Sequence, residues 1–148
     1  METPMGIRSV RQNYLAIIVA AVACFLFEAS WYTLFLDVWL KGIGHDRPWL
    51  EHTGVNPTLQ WLAALLAQGL IAGTISRFTQ LTGAQTALRG TKTAVLLWGG
   101  VVIPLSAVGD IFAARSYASF AVNIGFWLIG MMIMGAIVGA WKKKPTKL

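Results

Sequence analysis

Charge is what this sequence has least of. Only 12% of its 148 residues are Asp, Glu, Lys or Arg, against 56% hydrophobic ones, and the mean hydropathy is +0.62. A soluble domain carries roughly twice that charged fraction, so an ordinary water-soluble fold is excluded. Acidic side chains number six, and within the apolar stretches they are reduced to Glu28 and Asp110. Cysteine occurs once, as Cys24, which excludes an intramolecular disulfide and leaves the redox compartment open. Its apolar neighbours point to a small buried side chain rather than a reactive thiol. A P-loop, a dinucleotide fingerprint, a nucleophile elbow and a zinc-protease helix are all missing. No enzyme class is recognisable, and no cofactor is expected.

What the sequence has in plenty is long apolar runs. A spanning helix needs about 20 mainly apolar residues to cross a hydrocarbon core of about 30 Å. Four segments qualify: Tyr14 to Leu36, Leu59 to Phe78, Ala94 to Ala114 and Tyr117 to Trp141. The expected fold class is therefore all-α: a single transmembrane domain over residues 1–148 built as a four-helix bundle. The third segment is the weakest, because it holds Pro104, Asp110 and the pair Gly99-Gly100. Neighbouring helices make such residues tolerable by satisfying freed backbone groups. Arg8 and Arg11 before an apolar stretch ending at Cys24 loosely imitate a lipoprotein signal peptide, but apolar sequence continues to Leu40, where mature sequence should turn polar.

The net charge of +6 comes from basic residues at helix ends and in short loops, a membrane pattern rather than a nucleic-acid one. Arg8, Arg11, Arg77, Arg89, Lys92, Lys142, Lys143, Lys144 and Lys147 sort to one side, against Lys41, Arg47 and Arg115 on the other. The positive-inside rule then places both termini in the cytoplasm. Trp31, Tyr32, Trp39, Trp61 and Tyr117 mark the outer boundary, and Tyr14, Phe78 and Trp141 the inner one. The longest connection, residues 37–58, carries Gly42, Gly44, Pro48, Gly54 and Pro57 and reads as an outer loop. Its His45, Asp46, Glu51 and His52 lack the spacing of a metal site, so no metal is expected.

In the second span Gln60, Ala64, Gln68, Ala72 and Ser76 recur every four residues, a small and polar stripe that should face protein. The first span repeats the design at Ala16, Ala20, Cys24 and Glu28, which aims Glu28 into the bundle. Trp61-Leu62 with Gly69 and Gly73 matches Trp127-Leu128 with Gly135 and Gly139 at an offset of 66 residues, so two tandem helical hairpins are one reading of the architecture. Both GxxxG pairs are expected to serve helix packing within the chain.

Counted from the expected outer helix ends, Glu28 and Gln68 lie about 14 Å deep, Ser106 and Asn123 about 10 Å, and Asp110 about 5 Å. These five are the candidate ligand- or ion-binding residues, expected to form one polar cluster in the outer half. An ionised carboxylate as deep as Glu28 is costly, so it is either neutral and bonded to Gln68 or Asn123, or paired with an ion or substrate. Asp110, with Arg115 just beyond it, reads as an interfacial ion pair.

Asn13-Tyr14-Leu15-Ala16, Trp31-Tyr32 with Trp39, Leu97-Trp98 and the closing run Met134 to Trp141 resemble the bacterial membrane proteins of the domain of unknown function 1761 family. The likeness covers about Asn13 to Trp141 and departs from the family pattern at Thr33-Leu34, where Ser-Pro is usual, and at Glu28, where a small residue is. It implies a four-helix protein of the bacterial inner membrane and supplies no activity. Two functions remain in view: binding or transport of a small solute, ion or proton, which in so small a chain calls for a homo-oligomer or a partner, and an accessory role packing against other membrane proteins. An intramembrane enzyme ranks third.

Overall fold

The structure, a computed structural model, describes residues 12–83 and 85–142. Helix α1 spans Tyr14–Gly42, a short α2 spans Arg47–Glu51, and α3 spans Pro57–Leu81. Helix α4, Ala87–Leu97, runs through a π-helical turn at Trp98–Val102 into α5, Ile103–Phe112, and α6 spans Tyr117–Ala140. Counting α4 to α5 as one rod, four helices are long and apolar enough to cross a bilayer, and the described residues include no strand. The chain is a multi-pass membrane protein with an all-α bundle fold. Many large apolar side chains, among them Leu34, Leu66, Leu96, Leu105 and Phe112, are exposed on its flanks, where lipid rather than water is the natural solvent.

Short polar residues set where the helices begin. The Asn13 side chain accepts from Ala16 N–H at 3.3 Å, Thr86 from Arg89 N–H at 3.2 Å and Ser116 from Ser119 N–H at 3.2 Å. Asn56 accepts from Thr58 N–H at 2.9 Å and is followed by Pro57, whose missing N–H is harmless at a helix start. Pro104 stands in the first turn of α5, directly after the π-helical turn. That widened turn accommodates the ring and the absent donor without breaking the rod.

Three boundaries differ from the sequence expectation. Helix α1 continues past Leu36 to Gly42, α2 adds helix inside the 37–58 connection, and the third rod begins at Ala87 rather than Ala94. Asp37, inside the helix, pairs with Arg47 at 2.7 and 2.9 Å across the turn at Gly44. Charge in this stretch marks an interface, not the end of the helix. The hydrogen bond to Asp37 holds the Arg47 guanidinium above its ordinary pKa.

Helix α6 is the centre of the bundle: it packs against α1, and its C-terminal half, at Gly135 and Gly139, packs closely against α4. Ser116 N–H donates to the Gly42 carbonyl at 2.9 Å at one end, and Asn13 Nδ2 donates to the Trp141 carbonyl at 3.1 Å at the other. Helices α1 and α6 are thus antiparallel and bonded to each other at both ends. Two tryptophans hold α6 from opposite neighbours: Trp31 Nε1 of α1 donates to the Val122 carbonyl at 3.1 Å, and Trp98 Nε1, at the end of α4, donates to the Ile124 carbonyl at 2.8 Å. The core comprises Ala20, Cys24, Ala72, Ile75, Ala94, Phe126, Met131, Met134 and Val138. Cys24 is fully buried, and a Cβ added to Gly130 would stand 2.9 Å from its sulfur.

The two GxxxG pairs part company. A Cβ on Gly135 would strike the Gly90 carbonyl and stand 3.0 Å from Ala94 Cβ, and one on Gly139 would strike the Thr86 carbonyl. These glycines let the α4 and α6 backbones touch. Gly69 has nothing within 4 Å of such a Cβ, and Gly73 only Ile17 Cδ1 at 3.9 Å. The expectation of packing within the chain therefore fails for Gly69 and is marginal for Gly73, because α1 meets α3 along the Gln68, Ala72 and Ser76 stripe instead. Arg8, Arg11, Lys143, Lys144 and Lys147 lie outside the described residues.

Candidate functional site

Glu28 is the midpoint of α1, fourteen residues from Tyr14 and fourteen from Gly42, or about 21 Å from either end. Gln68 is equally central in α3. Its Nε2 donates to Glu28 Oε2 at 2.6 Å. The pair thus sits at mid-helix in both α1 and α3. It is also a polar tie between α1 and α3.

The carboxyl is not sealed by that bond. Gln68 is buried, and its own Oε1 has no partner among the described residues. Glu28 is half-buried; among the described residues its Oε1 accepts no hydrogen bond, yet it is not one of the buried unpartnered oxygens, and the residue borders open space. That space is a pocket of about 280 Å³ between α1 and α3, lined by Phe25, Glu28, Ala29, Tyr32, Gln60, Trp61 and Ala64. Ala29, Gln60 and Trp61 are exposed and form its mouth. No Lys or Arg among the described residues lines it.

The remaining candidates divide. Asn123 joins the pocket at one remove: its Oδ1 accepts from the Tyr32 hydroxyl at 2.8 Å, and Tyr32 lines the pocket wall. Asp110 belongs elsewhere. It pairs with Arg115 at 3.3 Å, and the two border a separate hollow of about 450 Å³ with Ala107, Ile111, Tyr117 and Phe120. Ser106 is half-buried, makes no side-chain hydrogen bond among the described residues and lines neither space. The single five-residue cluster expected from depth is therefore not formed. Depth along a helix is one coordinate, and α5, which carries Asp110, packs on α6 while α1, which carries Glu28, packs on both α3 and α6.

In the 42–57 connection His45 stacks on Trp49 with ring centroids 4.0 Å apart, and His52 Nδ1 lies 2.9 Å from the Pro48 carbonyl. Among the described residues no three His, Cys, Asp or Glu side chains gather closely enough to hold a metal ion.

A family model described as "Protein of unknown function (DUF1761)" matches residues 15–139, most of the chain. The chain belongs to the DUF1761 family. No curated protein and no solved structure matches it. Several segments that suggested DUF1761 are architectural: Trp31, Tyr32 and Trp98 all bond to α6, and Gly135 and Gly139 make its backbone contact with α4. The pocket's aromatic lining is what sequence reasoning missed in this DUF1761 chain. Phe25, Glu28, Ala29 and Tyr32 on α1 and Gln60, Trp61 and Ala64 on α3 all follow three- and four-residue steps, a signal that becomes legible once the two helices are known to face each other.

Proposed function

We propose that this protein binds a small solute, ion or proton in the pocket between α1 and α3, with Glu28 as the anchoring group, in a binding or transport role. The observation that supports this is the divided state of the carboxyl: one oxygen is held by Gln68 at 2.6 Å and the other is open to the pocket. A carboxyl retained only to tie helices together has no need of an open oxygen, and ionisable groups at membrane depth are functional by default. Dicyclohexylcarbodiimide, an apolar reagent that reaches carboxyl groups from within a membrane, should modify Glu28 in the wild-type protein and find no target at that position in Glu28→Gln. Mass spectrometry of the peptide reads the result. An unmodified Glu28 would reduce the pair to a structural tie.

The same reading places both termini in the cytoplasm of a bacterial inner membrane, supported by nine basic residues sorting to the terminal side against three. In a Cys24→Ala background, His45→Cys should react with an impermeant maleimide in intact cells. Reaction only after permeabilisation would reverse the orientation.

A second reading, an accessory subunit, is favoured by the open face at Gly69 and Gly73, where small residues invite another transmembrane helix. Co-purification of a stoichiometric membrane partner that Gly69→Leu abolishes would support it.

A further inference from the structure

We propose that the Glu28 pocket is selective for a small organic cation, an ammonium group carried on an apolar body. This rests on the reading of the pocket as a ligand site and names its ligand class. Three aromatic residues, Phe25, Tyr32 and Trp61, share a wall with one carboxylate and no basic side chain. Aromatic faces carry negative potential and attract cations with about 0.5–2 kcal/mol each, more as water is excluded. A carboxylate among such faces is a cation site by two independent terms of the same sign.

The lining also decides which kind of cation. A small metal ion needs several hard oxygens to replace its water: six to eight for calcium, and near-octahedral geometry for magnesium. Here one carboxylate oxygen is open, and the only other polar side chains on the wall are the exposed Gln60 and the Tyr32 hydroxyl, which is already donated to Asn123. The rest of the wall is ring carbon and alanine methyl. A quaternary ammonium carries little hydration to replace and brings apolar surface that this wall can cover. At about 280 Å³ the pocket is at the small end of small-molecule sites, which limits the body to about one ring. Trp61 is 62% exposed at the mouth, and neither it nor Phe25 stacks on another aromatic among the described residues. Both rings are therefore available to a guest. Phe27, Trp31, Phe126 and Trp127, by contrast, are engaged with one another in the core.

The test uses full-length protein in lipid nanodiscs and benzyltrimethylammonium as the probe, with neopentylbenzene as its neutral counterpart of the same shape. The cation should bind saturably and protect Glu28 from dicyclohexylcarbodiimide, and neopentylbenzene should do neither at equal concentration. Glu28→Gln, which keeps an acceptor and the volume while removing the charge, should weaken cation binding more than tenfold. Trp61→Leu, at an exposed position where folding is not at stake, should weaken it about 2- to 30-fold, the equivalent of one cation–aromatic contact. Equal protection by the neutral compound, or cation binding indifferent to both substitutions, would overturn the cation assignment. If Glu28 reacts with the carbodiimide but the cation gives no protection, the pocket stands and its ligand class is wrong. If Glu28 does not react and nothing binds, both readings fall together.

Discussion

Replacing Gly135 by Ala tests the central packing contact, and Gly69→Ala is its internal control. The two glycines occupy equivalent places in the sequence echo, 66 residues apart. In α6 the added methyl would collide with the Gly90 carbonyl oxygen, with its carbon at 2.7 Å and Ala94 Cβ at 3.0 Å. Carbon atoms rest about 3.5–4.0 Å apart, so relief requires α4 and α6 to separate by about 1 Å. Separation also loosens the neighbouring contacts of Gly139 with Thr86 and Gly90, since rigid helices part along their length. Overpacking of this kind costs about 1–3 kcal/mol, and the better helix propensity of alanine returns up to about 1 kcal/mol. A net loss of about 1–2 kcal/mol follows, roughly 5- to 30-fold in the folded-to-unfolded ratio. Gly69 has nothing within 4 Å, so Gly69→Ala keeps only the propensity gain, between zero and about 1 kcal/mol of stabilisation. Reversible unfolding in mixed micelles, titrated with dodecyl sulfate and followed by tryptophan fluorescence, measures both. Equal shifts at the two sites, or a stabilised Gly135→Ala, would refute the contact. A loss at Gly69 in purified protein would instead show that its face is covered by a second copy.

Three other substitutions follow from single contacts. Glu28→Gln should leave stability within about 0.5 kcal/mol because an amide can still meet Gln68, whereas Glu28→Leu should cost about 1–3 kcal/mol by stranding the buried Gln68 Nε2; the same unfolding titration separates them. Tyr32→Phe removes the donor to Asn123 and should cost about 0.6 kcal/mol, the typical size of a side-chain hydrogen bond between membrane helices, measured by a double-mutant cycle with Asn123→Ala. Ala114 lies in the left-handed region at φ 50° in the tight turn between α5 and α6, so Ala114→Gly should stabilise the protein by about 1 kcal/mol; no gain would mean that the turn relaxes in the bilayer.

Much of the fold was legible because the bilayer imposes a simple rule. Apolar runs of sufficient length identify the four rods, and Asn13, Asn56, Thr86 and Ser116 sit where short polar caps belong. At α1 the apolar span ends at Leu36 while the helical backbone continues to Gly42. Hydropathy measures preference for lipid, whereas a helix ends where its hydrogen-bond ladder does, so the two boundaries need not coincide. A bond from Glu28 to Gln68 or Asn123 is one alternative that the small-residue stripes of the sequence raise, and the structure has it to Gln68. The exclusion of Asp110 and Ser106 from that site is not legible, since depth along a helix does not say which helices pack together.

From sequence alone follow the solvent of this protein, its helical class and the helix faces turned inward, consequences of period, composition and local backbone chemistry, while its family follows from the likeness of particular motifs. Which glycine pair closes a contact, which tryptophans pin α6 and which aromatics surround Glu28 were decided by tertiary structure. The two GxxxG pairs are the clearest case: identical spacing, but of the four only Gly135 and Gly139 meet a backbone, because α4 brings Gly90 and Thr86 against them while among the described residues nothing lies within 4 Å of a Cβ on Gly69. A residue carries its own propensity into the fold, but its contacts belong equally to whatever the rest of the chain places opposite it.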